Sequence, residues 1–337
     1  MCKTILSNGV KIVTQQVPNS QSISLGIWVK VGSRDEAPDE HGLSHFIEHL
    51  HFKGTINRSS RDISEAFEEI GGHLNAFTTK EYTCFYTKIL RDHLNLASDV
   101  LCDIFFNSLY SSSDIEREKW VVIEEIKAIE DMPDEVIFDY FSSAFWDNHS
   151  LGRPVLGTSE SVASFNRSKV INYLRRHYVA ENIVIAAAGN LEHELIVDSF
   201  GKHFEKCVSS NKKKKYFAPE YNFDSIIIPR TSEQVYICLG TRGLSYFDPD
   251  RFSLMVLNNI LGGSLSSRLF QQIREDFGLA YSVFSHNEFF YDCGQWCIHA
   301  GTSPERVMDV LKLTFSILKN VKRDGITISE LEGQKSN

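Results

Sequence analysis

A run of about 20 apolar residues, the minimum for a helix that crosses a bilayer, occurs nowhere in this 337-residue chain, which argues against a membrane span. A surplus of basic charge is lacking as well. Thirty-five Lys and Arg stand against 44 Asp and Glu, a formal net charge of -9. Neutralising a phosphate backbone takes clustered Lys and Arg, so no nucleic acid is expected as a partner. Nor do the cysteines pair up. The seven, at positions 2, 84, 102, 207, 238, 293 and 297, are odd in number, scattered, and set in apolar runs such as TCFYT and VYICLG. They read as small buried hydrophobes. Cys293 and Cys297, four apart in an apparent strand, share a face, but no second pair completes a metal site. The first residues, MCKTILSNGVKIVTQQV, have neither the apolar core of a secretion signal nor the Arg-rich stretch of a transit peptide, which makes the cytoplasm the expected residence. What is present is an ordinary globular balance, 42% apolar and 23% charged, in a chain long enough for two domains.

Residues 9 to 30 read as two strands joined by a turn at Pro18, Asn19 and Ser20. A helix is expected from about Glu40 to Phe52, and another from Ser60 to Ile70 that ends in a left-handed cap at Gly71 and Gly72. HLNAFTTKEYTCFYTKIL alternates as one or two strands. Helices follow over 93 to 107 and over Ser113 to Ile129, the latter opened by SDIE as a capping box. NIVIAAAGN, residues 182 to 190, suits a buried strand that closes a first domain. Residues 207 to 222, with four consecutive Lys and a Pro, read as an exposed linker.

After the linker the same order returns: strands at 225 to 241, helices at 249 to 261 and 265 to 276, strands at 279 to 301, a helix at 304 to 322. The pattern is that of two copies of one unit. The second copy stops at ISELEGQKSN, the counterpart of SDIEREK, so roughly 80 residues of it are missing by that comparison. The expected domains are residues 1–206, a linker at 207–222, and a C-terminally truncated second unit at 223–337.

One constellation carries chemistry. His45 and His49 are four apart on the first helix, a spacing that puts two imidazoles on one face within reach of one metal ion, and Glu48 lies beside them. Such an ion lowers the pKa of its bound water toward about 7, and a carboxylate not committed to the metal takes the proton. Glu48 is the expected general base. A catalytic zinc site needs a third protein ligand and an open position. On the helix from Ser113, positions 115, 118, 122, 125 and 129 form a stripe of Ile, Glu, Val, Glu and Ile. Carboxylates on an apolar face are costly unless paired or metal-bound, so either Glu118 or Glu125 can be the ligand, with the other supporting a His. His41 and His51 read as structural or solvent-facing.

HFIEH with its flanks, GSRDEAPDEHGLSHFIEHLHFKGT, followed by Glu125 at 76 residues after His49, resembles the pitrilysin family of zinc metallopeptidases, peptidase family M16. The likeness covers nearly the whole chain and is closest to the short bacterial and mitochondrial-processing-peptidase branch. It implies an α+β (α/β) fold in which two homologous units, each a mainly antiparallel sheet packed with helices, form a clamshell, here with the second unit incomplete. It implies one Zn2+ per chain, held by His45, His49 and Glu125, with Glu48 as base and Glu118 in support. GGHLNAFTTKEYT resembles the family's edge strand, to which a peptide substrate adds, and this marks Asn75, Ala76, Thr78 and Glu81 as substrate-side residues. Asn75 also suits a turn after Gly71 and Gly72. In the second unit, IREDFGLAYSVF places Arg274 and Tyr281 seven apart, like the family's pair that holds substrate. FSLMVLNNILGG, the second unit's counterpart of the metal helix, has no His, Asp or Glu, so only the first unit is expected to carry metal.

The implied activity is endopeptidase action on extended or unfolded peptides and presequences, with zinc-bound water activated by Glu48. The rival reading is a non-catalytic or partner-dependent subunit of a peptidase or assembly complex, as a homodimer or a heterodimer with a related chain.

Overall fold

The computed structural model describes residues 1–210, 214 and 216–335. It divides into two compact units, one of Met1–Lys127 with Arg153–Lys214, the other of Ala128–Gly152 with the described residues beyond Lys214.

Along the first part of the chain run β1 (Cys2–Ile5), β2 (Lys11–Gln16), β3 (Ser22–Val29), α1 (Leu43–His51), α2 (Ser60–Glu68), β4 (His73–Thr78), β5 (Thr83–Leu90), α3 (Leu94–Asn107) and α4 (Ser112–Glu130). Then come α5 (Pro133–Trp146), α6 (Ser159–Ala163), α7 (Arg167–His177), β6 (Ile183–Gly189) and α8 (His193–Phe204). Six strands form one sheet in the order β1-β2-β6-β3-β5-β4, antiparallel throughout except for the parallel pair β2 and β6. Alternation explains β3: Ile23, Leu25, Ile27 and Val29 point to one face and are buried. They pack with Phe46 of α1 and Phe85 of β5 in the main core, where each such side chain contributes about 1.5–3 kcal/mol. The apolar run at 182 to 190 supplies β6, interior to the sheet between β2 and β3. β4 is one of the two edge strands, and α1 packs against it and β5.

Helix ends follow local chemistry. At α2 the N–H of Gly71 bonds Glu68 O at 3.1 Å and that of Gly72 bonds Phe67 O at 2.9 Å, with Gly71 at φ +61°. This is the Schellman closure that the Gly pair predicts. The start of α4 departs from expectation. Ser111 Oγ accepts the N–H of Asp114 at 3.1 Å, so the cap lies two residues before SDIE.

The second unit contains β7 (Val235–Arg242), α9 (Arg251–Asn258), β8 (Ser282–Phe289), β9 (Gly294–Thr302), α10 (Val307–Asp324) and α11 (Ile328–Lys335). Its sheet runs β7-β9-β8, all antiparallel, the same order as β3-β5-β4 in the first unit. Three details differ from the sequence reading. The strand expected over 225 to 241 covers only Val235–Arg242, because residues 225–232 have no sheet partner. The helical stretch at 265 to 276 is wound as a π-helix over Phe270–Asp276. Residues 128–152, expected within the first domain, belong to the second unit, where Phe141 of α5 fills the space a side chain at Gly240 of β7 would take.

The cysteines are free thiols. Cys293 precedes β9 and packs beside Phe145 and Trp146, whereas Cys297 lies within β9 against the thiol of Cys238. The expectation that 293 and 297 share one strand face therefore fails. Of the expected linker, Lys212, Lys213 and Lys215 lie outside the described residues. Lys214 is not solvated: it is ion-paired with Asp35, itself nearly inaccessible. Among the described residues no helix is long and apolar enough to cross a membrane.

Candidate metal centre

The loop before α1 sets the helix in place. Gly42 at its N-terminus has φ +89°, and a Cβ there would lie 2.5 Å from Leu156 O. The position therefore demands glycine. Glu36 reaches forward from the loop, its carboxylate accepting the N–H groups of Gly42 and Ser44, each at 2.7 Å. Burial pushes the Glu36 carboxyl up to about 8, against these two hydrogen bonds. Leu43, Phe46, Ile47 and Leu50 turn into the core, leaving His45, Glu48 and His49 on the remaining face.

The imidazoles of His45 and His49 have centroids 4.5 Å apart. From α4, Glu125 approaches both: Oε1 is 3.8 Å from Nε2 of His45, and Oε2 is 3.6 Å from Nε2 of His49. One donor atom from each residue lies within 4.8 Å of the others. A tetrahedral ion with bonds of about 2.0–2.1 Å sets its ligands roughly 3.3–3.4 Å apart, so small side-chain movements close the set. One further observation fits zinc. Nδ1 of His49 is engaged by Oε1 of Glu118 at 2.8 Å, which leaves its Nε2 to face Glu125.

The electrostatics agree with this division. Burial, helped by the neighbouring His49, pulls His45 down to about 3 and keeps it neutral. Burial also pulls on His49, but Glu118, Glu125 and Glu48 outweigh it and raise its pKa. Burial raises Glu118 in turn, yet hydrogen bonds from His49 and Lys53 hold it below the ordinary carboxylate value. Glu48 is raised, chiefly by burial, although the hydroxyl of Thr78 donates to its Oε2 at 2.5 Å. Glu118 is 3% exposed while Glu125 is 40% exposed at its side chain, so the expected stripe buries the first carboxylate and leaves the second at its margin.

The family model described as "Insulinase (Peptidase family M16)" matches residues 11–159, and that described as "Peptidase M16 inactive domain" matches residues 164–337. The chain belongs to peptidase family M16. A Bacillus subtilis protein named as the uncharacterized zinc protease YmxG is 44% identical over 331 residues, covering 97% of this chain and 80% of the relative. An uncharacterized zinc protease of Streptomyces coelicolor is 41% identical, covering 98% and 73%. The fold is shared with a protease from Helicobacter pylori, at TM-score 0.93 and 22% identity over 99% of this chain and 84% of that one. It is shared also with a chain of Complex III2 from Candida albicans, at 0.79 and 21% over 98% and 78%. M16 peptidases use zinc, and the relatives named above are called zinc proteases.

The remaining expected residues of this M16 chain are distributed unevenly. Thr78 meets Glu48, as above. Ala76 turns its methyl into the core, and Asn75 is exposed on β4, its Oδ1 accepting the N–H of Ala76 at 2.8 Å. Glu81 sits 2.6 Å from the buried guanidinium of Arg34. Arg274 and Tyr281 lie in the second unit, where the guanidinium stacks 5.2 Å over the phenol ring and Tyr281 is 76% exposed. At α9 the place of the metal helix is taken by Asn258, which accepts from Ser285 and Trp296, each at 2.8 Å. His51 is structural: it is fully buried, bonded to Ile47 O at 2.8 Å and to Tyr110 at 3.1 Å. Two contacts escaped the sequence reading, that of Thr78 with Glu48 and that of Lys53 with Glu118. The second had a signal, because Lys53 extends the spacing of four from His45 and His49.

Proposed function

We propose that this chain is a zinc-dependent endopeptidase for extended or unfolded peptides and presequences, in which His45, His49 and Glu125 hold one zinc ion and Glu48 is the general base. The observation that carries the reading is the convergence of three donor atoms within 4.8 Å, with Glu48 on the adjoining helix position. Bound zinc supplies a Lewis acid and lowers the pKa of coordinated water toward about 7. Glu48 takes the proton of the attacking water. Thr78 occupies its Oε2, which leaves Oε1 for the proton, and burial raises its pKa toward the working range of a base. The protonated Glu48 then delivers that proton to the leaving amine. Glu118 keeps the ring of His49 oriented.

Substrate selection follows from β4. An edge strand offers unpaired backbone groups to an incoming strand, and Asn75, Ala76 and Thr78 lie along it. A peptide added there runs toward Thr78 and Glu48. Only an extended segment can pair in this way, which favours extended or unfolded peptides over helical or compact ones. Glu81 supports the β4–β5 turn through Arg34. Arg274 and Tyr281 are proposed as substrate-binding residues, supported by their family-like spacing and the exposure of Tyr281.

Zinc content and cleavage of an unstructured peptide library, measured for the wild type and Glu48→Gln, test the reading. The expected result is one zinc per chain in both and cleavage only in the wild type. Zinc-loaded wild type without cleavage, or cleavage that survives in Glu48→Gln, refutes it.

A subunit role is the second reading. It is favoured by the fold shared with a chain of Complex III2 and by the "inactive domain" description of the second family model. Cleavage that appears only when a second M16 chain is added selects this reading over the first.

A further inference from the structure

Lys53 stands outside the HFIEH motif, yet it continues the same helical stripe. His45, His49 and Lys53 are each four residues apart, a spacing that stacks side chains on one face. Although α1 closes at His51, the turn runs on: the N–H groups of Phe52 and Lys53 bond the carbonyls of His49 and Leu50 at 3.3 and 3.2 Å. This carries the lysine to α4. Its Nζ lies 2.8 Å from Oε2 of Glu118, whose other oxygen accepts from Nδ1 of His49 at 2.8 Å. The Glu118 side chain is 3% exposed, that of Lys53 37%. A carboxylate so buried is stable when its oxygens are engaged, and here the imidazole holds one and the ammonium the other.

We propose that Lys53 is a positioning residue of the metal centre, acting through Glu118. Its charge clamps the carboxylate, the carboxylate holds Nδ1–H of His49, and the lone pair on Nε2 stays turned toward Glu125. Without the ammonium, Glu118 is free to swing away from the imidazole, and the ring loses its fixed orientation. The inference rests on the zinc reading above and adds a residue to it. Partners that orient a metal-binding histidine are typically worth 10- to 100-fold in metal affinity.

Zinc dissociation constants, measured by competition with a chromophoric chelator, test it for the wild type, Lys53→Met, Lys53→Arg, Glu118→Gln and the Lys53→Met/Glu118→Gln double variant. Methionine keeps the apolar stem and deletes the charge. Thermal melts of the metal-free proteins confirm that each is folded. The expected result is a loss of about tenfold in Lys53→Met, recovery in Lys53→Arg, and a double variant no weaker than Glu118→Gln, because the lysine works through that carboxylate. Lys53→Met binding zinc as tightly as the wild type, or a loss that adds in full to that of Glu118→Gln, overturns the role of Lys53 and leaves the zinc reading standing. A wild type that binds no zinc overturns both.

Discussion

The hydroxyl of Thr78, on the edge strand β4, donates a hydrogen bond to Oε2 of Glu48 on α1. One short contact thus joins the strand proposed to receive substrate to the carboxylate proposed to move the proton. Replacing Thr78 by Val keeps the shape and deletes the donor. Hydrogen bonds to charged groups contribute about 1.5–3 kcal/mol, so kcat is expected to fall about 10- to 100-fold with little change in zinc content. Thr78→Ser, which restores a hydroxyl, should recover most of the activity. Steady-state kinetics on a single peptide decide, and an unchanged kcat in Thr78→Val would remove this contact from the mechanism.

Metal removal has a readout in stability as well as in activity. A ligand that binds only the folded chain stabilises it by about 2.7 kcal/mol when present at 100 times its dissociation constant. Zinc added to chelator-treated protein should therefore raise the melting temperature of the wild type by several degrees. His45→Ala and Glu125→Ala, each lacking one of the three converging donors, should show little or no rise. Equal shifts in all three proteins would place the zinc elsewhere.

Gly42 is predicted to tolerate no side chain. Its φ of +89°, and the mere 2.5 Å that would separate an added methyl group from Leu156 O, make Gly42→Ala both strained and crowded. The cost is expected to be about 2 kcal/mol or more, read as a lower melting temperature. Because Gly42 opens the helix that carries His45 and His49, zinc affinity should fall with it.

In the second unit, Arg268 donates to both oxygens of Glu330, at 2.6 and 2.8 Å, while Thr327 caps α11 through the same carboxylate. The arginine pulls the Glu330 carboxyl down to about 2. A carboxyl whose pKa is lower in the folded state adds stability above its unfolded pKa, near 4.5, and loses it as pH falls toward 2. The pair sits at the surface with its side chains 19% and 28% exposed, and solvent screening holds its worth to about 1 kcal/mol. The melting temperature of Glu330→Gln should lie below that of the wild type at pH 7, and the gap should close as pH drops from about 5 toward 2. A gap that stays constant with pH would assign the effect to packing.

Much of the fold was legible because its signals are local. The alternation in β3, the Gly pair that closes α2, and the spacing of four in HFIEH each act within one or two turns of chain. The recurrence of element order across the linker was legible for the same reason, and the shared strand order of the two sheets matches it. Misreadings arose where a partner distant in sequence decides. Residues 225–232 are apolar enough for a strand but find no neighbouring strand, and the amphipathic α5 belongs with the sheet of the other unit.

For the centre itself, the sequence by itself determined that His45, Glu48 and His49 share a helical turn, since helical geometry alone dictates that. It also marked Glu118 and Glu125 as two carboxylates on one side of α4. Tertiary structure decided which does what: Glu125 at the margin faces both Nε2 atoms, Glu118 in the interior grips Nδ1 of His49, and Thr78 and Lys53 arrive as partners. The physical reason is reach. A hydrogen bond forms only within about 3 Å and an ion pair within about 4 Å, and which atoms of α1, α4 and β4 come that close depends on how the core between them packs.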